Sequence, residues 1–163
     1  MPVRLLAPAD LDRVLAINAS GVPGVGAIEA LQLAHLVDES AMALVATVDD
    51  TVVGFCLVLP PGADYGSVNY RWFSDRYDDF VYLDRVAIAP EFQGHGLGRA
   101  LYDEVERRAD APWFTLEVNL RPRNDGSLAF HDRLGFVEVG QQETNYGTLV
   151  SLMAKPLARP AIS

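Results

Sequence analysis

The stretch EFQGHGLGRALYDEVERRAD, residues 91–110, places three glycines within five positions directly ahead of an amphipathic sequence. Leu97, Leu101 and Val105 recur at the spacing of one helical face, so a helix is predicted to follow the glycines. Glycine lets a backbone approach an anion closely, and the first amides of a helix point at the anion with the favourable end of the helix dipole. The turn therefore suits a pyrophosphate, although a tight turn of purely structural purpose would give the same cluster.

Two common phosphate-binding motifs do not match this turn. A Walker loop requires Gly-Lys-Ser/Thr, whereas Gly98 is followed by Arg-Ala. A dinucleotide-binding GxGxxG motif also fails, because Arg99 stands at the last glycine position when counting starts at Gly94, and Leu101 stands there when counting starts at Gly96. If the turn binds phosphate, it does so through a different motif.

Hydrophobic periodicity predicts the elements on either side of the turn. Short β-branched or alternating runs predict seven strands: Val3–Leu6, Ala41–Val48, Thr51–Leu59, Phe80–Ala89, Trp113–Asn119, Phe136–Gln142 and Thr148–Lys155. Helical spacing predicts helices that begin near Pro8, Ile28, Leu97 and Asp125. Residues 19–27 are predicted to be a loop, and residues 60–79 an irregular, aromatic-rich insertion. Hairpin strands at the start, followed by strands that alternate with helices, predict an α+β fold around a mixed sheet.

Length and composition limit the class of protein. The chain has 163 residues, half of them hydrophobic, so we expect a single domain over residues 1–163 with a flexible tail at residues 155–163. The net charge of -9 argues against nucleic-acid or membrane partners, which need a basic face. The single cysteine, Cys56, lies in an apolar run, so we expect a buried thiol and no metal site. Without a signal peptide or a long apolar run, the protein is predicted to be cytoplasmic.

Two motifs resemble those of a known superfamily. VAIAPEFQGHGLGRALYDEV matches a strand, a turn and the pattern Gln/Arg-x-x-Gly-x-Gly/Ala at Gln93, Gly96 and Gly98. RNDGSLAFHDRLGF matches a second pattern at Asn124, Ser127, Phe130 and Leu134-Gly135-Phe136. Together they resemble the GNAT superfamily of N-acetyltransferases. The resemblance implies a mainly antiparallel central sheet that splays between strands 4 and 5 and is flanked by helices.

The resemblance also implies a function. A GNAT domain would bind acetyl-CoA and transfer its acetyl group to an amine of a small molecule, amino acid or peptide, by direct attack in a ternary complex. No cysteine lies in either motif to carry the acyl group. A homodimer is a further expectation. The alternative is a catalytically silent acyl-CoA-binding regulatory domain that keeps only the cofactor-binding turn.

The cofactor contacts implied by the resemblance fall on three segments. Pyrophosphate would be bound by backbone amides of Gln93, Gly94, His95, Gly96, Leu97 and Gly98, with help from Arg99. The pantetheine arm would lie along the strand residues Val86, Ala87 and Ile88, like an added strand. Asn124 and Phe130 match further positions that contact the cofactor. A backbone amide near Val86 or Ala87 would stabilise the developing oxyanion.

The chemistry requires a base, because an alkylammonium of pKa ~10 must lose a proton before it can attack a thioester. Glu117 is the leading candidate, since its position in TLEVN matches the base of ribosomal-protein N-terminal acetyltransferases. Two extra residues separate it from the motif asparagine. Asp84 and Tyr82 share one strand face by alternation and could line the same cleft. For each carboxylate, a salt bridge with Arg85 or Arg121 is the structural alternative.

The departing thiol needs a proton donor, and the sequence offers three candidates. His131 stands where many relatives have a tyrosine, and it could supply the proton because histidine titrates near neutrality. A packing or helix-capping histidine is the alternative. Tyr82 and Tyr146 are the other candidate acids. No catalytic role is expected for His35 or for the side chain of His95.

The acceptor would be recognised by the least regular segment. YGSVNYRWFSDRYDDF, residues 65–80, mixes six aromatic residues with three aspartates. Such a mixture can bind a cationic or aromatic acceptor by stacking and charge. The alternative is a lid whose aromatic side chains cover one end of the core.

Overall fold

The computed structural model describes residues 3–157. Its strands are β1 Val3–Leu5, β2 Met42–Val48, β3 Thr51–Leu59, β4 Val81–Ile88, β5 Trp113–Arg121, β6 Val137–Glu143 and β7 Leu149–Pro156. Its α-helices are α1 Leu11–Gly21, α2 Ala30–Glu39, α3 Val68–Arg76, α4 Leu97–Arg108 and α5 Asp125–Arg133, and 3-10 turns cover Pro8–Asp10 and Pro90–Phe92. None of the helices in this part of the chain is long and apolar enough to cross a membrane.

The chain groups into two compact units. The first comprises the described residues up to Ala63 together with Leu83–Ala109, and the second comprises Asp64–Tyr82 and the described residues from Asp110 onwards. β4 contributes residues to both units. That all of these residues form a single domain stays a prediction.

In the first unit, β1, β2 and β3 pair antiparallel, and β4 is the neighbour of β3. Asp49 and Asp50 connect β2 to β3 with φ angles of 50° and 63°, and a two-residue type I′ turn requires positive φ at both of these positions. The hairpin predicted at this pair is therefore present. α4 packs on β2 and β3 with Leu101 and Val105 fully buried. The glycine-rich turn thus precedes a helix that is anchored in the core.

In the second unit, β7 pairs antiparallel with both β5 and β6. Val81 and Tyr82, at the start of β4, pair parallel with Phe114 and Thr115 of β5. The core of this unit is aromatic and contains the buried rings of Tyr70, Phe73, Phe80, Tyr82, Phe114 and Phe136. Neighbouring rings meet edge-on or tilted, the arrangements that aromatic pairs prefer.

The strand order β1-β2-β3-β4-β5-β7-β6 confirms the predicted α+β fold with a mixed, mainly antiparallel sheet. The parallel ladder of β4 with β5 consists of the pairs Val81–Phe114 and Tyr82–Thr115. A ladder this short agrees with the splay predicted between strands 4 and 5.

The predicted irregular insertion contains a helix, α3. The Ser67 side chain caps it, because its Oγ accepts hydrogen bonds from the amides of Asn69 and Tyr70 at 3.2 and 3.3 Å. Asn69, Tyr70 and Phe73 form its buried face, and Arg71, Ser74, Asp75 and Arg76 are exposed. This face spans barely one turn, so helical periodicity was too short to recognise in the sequence.

Several element boundaries differ from the prediction by one to three residues, and two of the differences fall on segments predicted to be irregular. α1 continues to Gly21, so the first residues of the predicted loop 19–27 are helical. β7 continues to Pro156, with Lys155 opposite Phe114 of β5, so the predicted tail from residue 155 begins inside a strand. Residues 158–163 of that tail lie outside the described residues.

Candidate active site

The glycine-rich turn of the first unit has the backbone geometry of an anion-binding turn. Gly94 and Gly96 have φ angles of 81° and 79°, in the left-handed region that glycine adopts without strain. Gly96 is the N-cap of α4, and within this described turn no side chain caps the helix. Acidic residues are absent from the first turn of α4, and Arg107 and Arg108 lie in its last turn. The helix dipole therefore favours an anion at this end.

The space around the turn is open. A Cβ placed on Gly94, Gly96 or Gly98 would meet no atom within 4 Å beyond its chain neighbours. The side chains of His95 and Arg99 are exposed. Leu97, by contrast, points into the core with 8% exposure, so its amide is the part available to a ligand. The predicted pyrophosphate-binding residues thus form an accessible, anion-favouring turn.

Gln93 joins this turn to the end of β4. Its Nε2 donates to the carbonyl oxygen of Ile88 at 3.2 Å. Val86, Ala87 and Ile88, the predicted pantetheine-binding residues, form the last part of β4. This segment lies so close to Gly54 of β3 that a Cβ there would be 2.5 Å from Ile88 Cδ1 and 3.2 Å from the Ala87 carbonyl oxygen. The glycine on β3 therefore permits close packing of the strand end.

Glu117, the predicted base, lies on β5 in the second unit and is partly buried. The Tyr82 hydroxyl lies 2.9 Å from Oε1 and 2.7 Å from Oε2 of Glu117, and Asn69 Nδ2 donates to Oε1 at 3.2 Å. Tyr82 is 0% exposed and Asn69 is 1% exposed. Buried neutral donors therefore orient a partly accessible carboxylate, as proton transfer at a defined place requires.

Sequence analysis did not identify Asn69 or Gln142. Asn69 lies on α3, and its Nδ2 also lies 3.4 Å from the hydroxyl of Tyr146, a residue 66% exposed on the turn between β6 and β7. Gln142 Nε2 donates to Asn69 Oδ1 and to the Val68 carbonyl oxygen, both at 3.1 Å. The Ser67 cap was the available signal for the helix, but nothing in the sequence indicated which strand its buried asparagine would face.

Asp84 lies in a different network, in the first unit. Its Oδ2 accepts a hydrogen bond from Arg85 Nε at 2.7 Å, and the two side chains are only 4% and 11% exposed. Arg85 Nη1 also donates to Asn18 Oδ1 and to the Gly26 carbonyl oxygen, both at 3.1 Å. This is the salt bridge that the sequence analysis gave as the structural alternative. Arg121, the other suggested partner of a carboxylate, pairs with Glu143 at 3.4 Å.

His131 is buried on α5 with 6% exposure. Its Nδ1 lies 2.7 Å from the Ser127 carbonyl oxygen, which can only accept, so Nδ1 carries a proton and Nε2 of the neutral ring has none to give. Burial lowers the pKa of His131, and the bond to Ser127 offsets this in part. The ring meets Phe130 and Phe136 edge-on at 5.2 and 5.4 Å. These contacts favour the packing role over the acid role.

Asn124 precedes the first residue of α5, and Phe130 lies within the helix. Asn124 is the N-cap, and its Oδ1 accepts a hydrogen bond from the Ser127 amide at 3.1 Å. Phe130 is partly buried. The predicted cofactor contact of Asn124 would come from a side chain that the helix cap already holds in place.

The aromatic insertion divides into buried and accessible residues. Tyr70, Phe73 and Phe80 are at most 3% exposed and belong to the core of the second unit. Asp75, Asp78 and Asp79 are exposed. These three rings agree with the lid alternative, whereas the three aspartates lie at the surface.

Cys56 is fully buried in β3, and burial raises the pKa of its thiol to about 12. A thiol in this state does not form the thiolate that attacks a thioester at neutral pH. A covalent acyl-cysteine route is therefore disfavoured, in agreement with the predicted direct attack.

Comparison with known proteins gives one family. A model described as the acetyltransferase (GNAT) family matches residues 19–136. The ribosomal protein bS18-alanine N-acetyltransferase of Escherichia coli (strain K12) is 36% identical over 74 residues, which are 43% of this chain and 48% of that protein. The chain thus spans about half the length of the curated relatives that it matches.

Two solved structures show the same fold. The crystal structure of the ribosomal-protein-S18-alanine N-acetyltransferase from Escherichia coli has a TM-score of 0.72 at 21% identity, covering 98% of this chain and 95% of that chain. Arabidopsis thaliana NAA60 in complex with acetyl-CoA has a TM-score of 0.72 at 18% identity, covering 94% and 97% of the two chains.

Proposed function

The chain belongs to the acetyltransferase (GNAT) family, and from this premise we propose that it transfers an acetyl group from acetyl-CoA to an acceptor amine. The observation that carries the proposal is the Glu117 carboxylate, which Tyr82 and Asn69 hold at 2.7 to 3.2 Å. A base in a fixed orientation is what the acceptor needs, because a protonated amine has no lone pair with which to attack.

The cofactor-binding residues proposed from the sequence fit a diphosphate-containing donor. Amides of Gln93–Gly98 would bind the pyrophosphate, and Arg99 adds a positive charge. The backbone of Val86–Ile88 would pair with the pantetheine arm, with Asn124 and Phe130 as further contacts. When bound, acetyl-CoA supplies the acetyl group as a thioester, whose carbonyl carbon accepts the amine as the thiol leaves.

Glu117 would receive the proton of the acceptor ammonium, whose ordinary pKa is about 8 for a peptide N-terminus and about 10.4 for a lysine-type amine. The Tyr82 hydroxyl and the Asn69 amide keep its two oxygens oriented while the proton arrives. Tyr82 and Tyr146 remain the candidates to protonate the departing thiol. An amide near Val86 or Ala87 remains the candidate oxyanion donor.

The acceptor is proposed as an amine of a small molecule, amino acid or peptide. The Escherichia coli enzyme that matches in sequence and in structure is named for N-acetylation of an alanine in a ribosomal protein, so a peptide with an N-terminal alanine is the first acceptor to test. The net charge of -9 also favours a cationic acceptor. The homodimer and the cytoplasmic location stay predictions, and sedimentation analysis tests the first of them.

The test of the function is the release of free coenzyme A thiol from acetyl-CoA, measured with and without N-terminal peptides, free amino acids and polyamines. We expect thiol release that requires an acceptor, with one equivalent of acetylated amine formed per thiol. Tight binding of coenzyme A without turnover on any amine would instead favour the silent acyl-CoA-binding domain. The reason for testing this alternative is His131, which stands where many relatives have the tyrosine that protonates the thiol.

A second test addresses the turn alone. Gly98→Val adds a side chain where the space is now open, without requiring a left-handed backbone, so coenzyme A should bind about 10-fold more weakly. Gly66→Val is the matched control, since a Cβ at Gly66 also meets open space and this glycine precedes α3, outside the turn. Calorimetry on both variants measures the difference, and equal affinities would contradict the proposed phosphate site.

A further inference from the structure

Asn69 is the polar exception on the buried face of α3. The helix buries Tyr70 and Phe73 in the aromatic core, yet the Asn69 side chain is 1% exposed as well. Burying an amide is unfavourable unless its hydrogen bonds are made. Asn69 makes three, with Glu117 Oε1 at 3.2 Å, the Tyr146 hydroxyl at 3.4 Å and Gln142 Nε2 at 3.1 Å.

The direction of the Asn69 amide is fixed by Gln142. Gln142 Nε2 faces two acceptors, Asn69 Oδ1 and the Val68 carbonyl oxygen, each at 3.1 Å. If Gln142 turned over, its oxygen would face both of them, and if Asn69 turned over, two amide nitrogens would meet. With both amides as they stand, Nδ2 of Asn69 must point at Glu117.

The insertion helix is held where it can maintain this contact. Ser67 caps its first turn. At the other side, the ring of Trp72 occupies the place of a side chain on Gly140 of β6, since a Cβ there would be 2.5 Å from Trp72 Cζ2. Arg76 covers the same ring at 4.1 Å. The Ser67 cap and the contact of the Trp72 ring with Gly140 together fix the rotation of α3 about its axis. They therefore fix the direction in which Asn69 points.

From these contacts we infer that Asn69 is a positioning residue for Glu117, and that Gln142 sets the orientation in which Asn69 donates to it. The inference rests on the proposed function, because Glu117 is taken as the base. Asn69 would donate to the carboxylate before the proton arrives and keep its accessible oxygen directed at the acceptor. The insertion would then serve the reaction as well as cover the core.

The sharpest variant is Asn69→Asp, which keeps the size of the side chain and places a second carboxylate about 3 Å from Glu117. Two carboxylates at this distance do not both ionise readily, so the acidic limb of kcat/KM should move to higher pH by about one unit or more. At pH values below this limb activity should fall roughly 10-fold and recover as the pH rises, while KM for acetyl-CoA stays unchanged. A general loss of structure would lower activity at every pH.

Gln142→Leu tests the second half of the inference. It removes the group that fixes the Asn69 amide, so the acidic limb should move in the same direction by a smaller amount. Gln141→Leu is the matched control on the same strand, because the Gln141 amide bonds to Glu138, away from this network. The hydrogen bonds of this network also join two phenols to it, those of Tyr82 and Tyr146.

A direct measurement separates this inference from the proposed function. Carbon-detected NMR of 13C-labelled glutamate, with the Glu117 signal assigned through Glu117→Gln, follows the carboxyl titration in the wild type and in each variant. If wild type acetylates no amine but the Glu117 titration moves in Asn69→Asp and Gln142→Leu, the function fails and the positioning role stands. If wild type is active and neither the titration nor the acidic limb moves in these variants, the positioning role falls. If Asn69→Asp does not fold, the Glu117 titration and the acidic limb are compared between Gln142→Leu and Gln141→Leu. A shift in the first variant alone supports the positioning role, and equal behaviour of the two contradicts it.

Discussion

The sequence offers two carboxylates as bases, and the structure surrounds them differently. Asp84, in the first unit, pairs with the Arg85 guanidinium at 2.7 Å, and both side chains are nearly buried. Glu117, in the second unit, accepts hydrogen bonds from a phenol and an amide and remains partly accessible. Asp84 is thus engaged with a cation in a nearly buried ion pair, whereas the donors that orient Glu117 are neutral. For this reason we expect Glu117 to be the carboxylate that accepts the proton.

The largest effect is expected from Glu117→Gln. The amide keeps the size of the side chain but cannot take a proton, so kcat should fall by about 10² to 10⁴ at saturating acetyl-CoA. The affinity for coenzyme A should not change. Steady-state kinetics with a calorimetric binding control measures both, and an unchanged kcat would remove Glu117 from the base role.

Asp84→Asn is expected to act on stability. It leaves the nearly buried Arg85 without its anionic partner, so the free energy of unfolding should fall by about 3 kcal/mol in urea denaturation. The activity of the protein that remains folded should be close to wild type. A pH-dependent loss of kcat with unchanged stability would reverse the comparison and make Asp84 the base.

The double variant Asp84→Asn, Arg85→Met sharpens the same point. Removing both charges avoids the unpaired guanidinium, so it should be less destabilising than the sum of the two single variants. A double-mutant cycle in urea gives the coupling free energy. Additive losses would mean that the short contact contributes little.

Tyr82→Phe removes the hydroxyl that lies against both Glu117 oxygens but keeps the ring in the aromatic core. A hydrogen bond to a charged group contributes about 1.5 to 3 kcal/mol, so kcat should fall roughly 10-fold or more. A shift of the acidic limb of the pH profile would indicate that Tyr82 supports the base. A loss confined to the alkaline limb would instead assign Tyr82 as the acid.

The smallest effect is expected from His131, whose protonated form is a cation. It concerns the pH dependence of the free energy of unfolding. Since burial lowers the pKa of the folded imidazole, the unfolded chain binds the proton more readily below about pH 6.5. The stability that neutral His131 provides is complete above that pH and is lost as the pH falls through it towards the folded pKa. The free energy of unfolding should therefore decline less steeply on acidification in His131→Phe than in wild type, and equal slopes would contradict the burial argument.

A separate acidic window belongs to Asp10. Its hydrogen bonds with Arg4 lower the pKa of Asp10, so its contribution is present above the ordinary aspartate range. That contribution is lost only as the pH falls through the lowered value, below about pH 3.9. The stability contributions of His131 and Asp10 are lost in different pH ranges, so one pH series of unfolding experiments can measure both.

Much of the fold and the glycine-rich turn could be predicted because their signals are local. Asp49 and Asp50 between two β-branched runs define the hairpin, and the glycines before Leu97 define the turn. Backbone geometry of this kind depends on neighbouring residues, so one stretch of sequence contains the information. Glu117 required the resemblance to a family, since a lone glutamate on a strand has no local signature.

The rest of the site could not be predicted, because its contacts join distant segments. Asn69 and Gln142 are 73 positions apart and meet only through packing of α3 beside β6. Alternation placed Tyr82 and Asp84 on one strand face, but it could not show that Asp84 would pair with its own neighbour. Side-chain pairing is decided by tertiary structure, which periodicity does not describe.

The buried thiol of Cys56 has a practical consequence. It is the only sulfhydryl in the chain, and its pKa of about 12 makes it unreactive while β3 is folded. Reagents that trap free thiols will therefore detect the coenzyme A that is released, because the thiol of the folded protein does not react with them. When β3 opens, Cys56 Sγ becomes reactive. The rate at which a thiol reagent labels it therefore measures local opening of the β2–β3 hairpin.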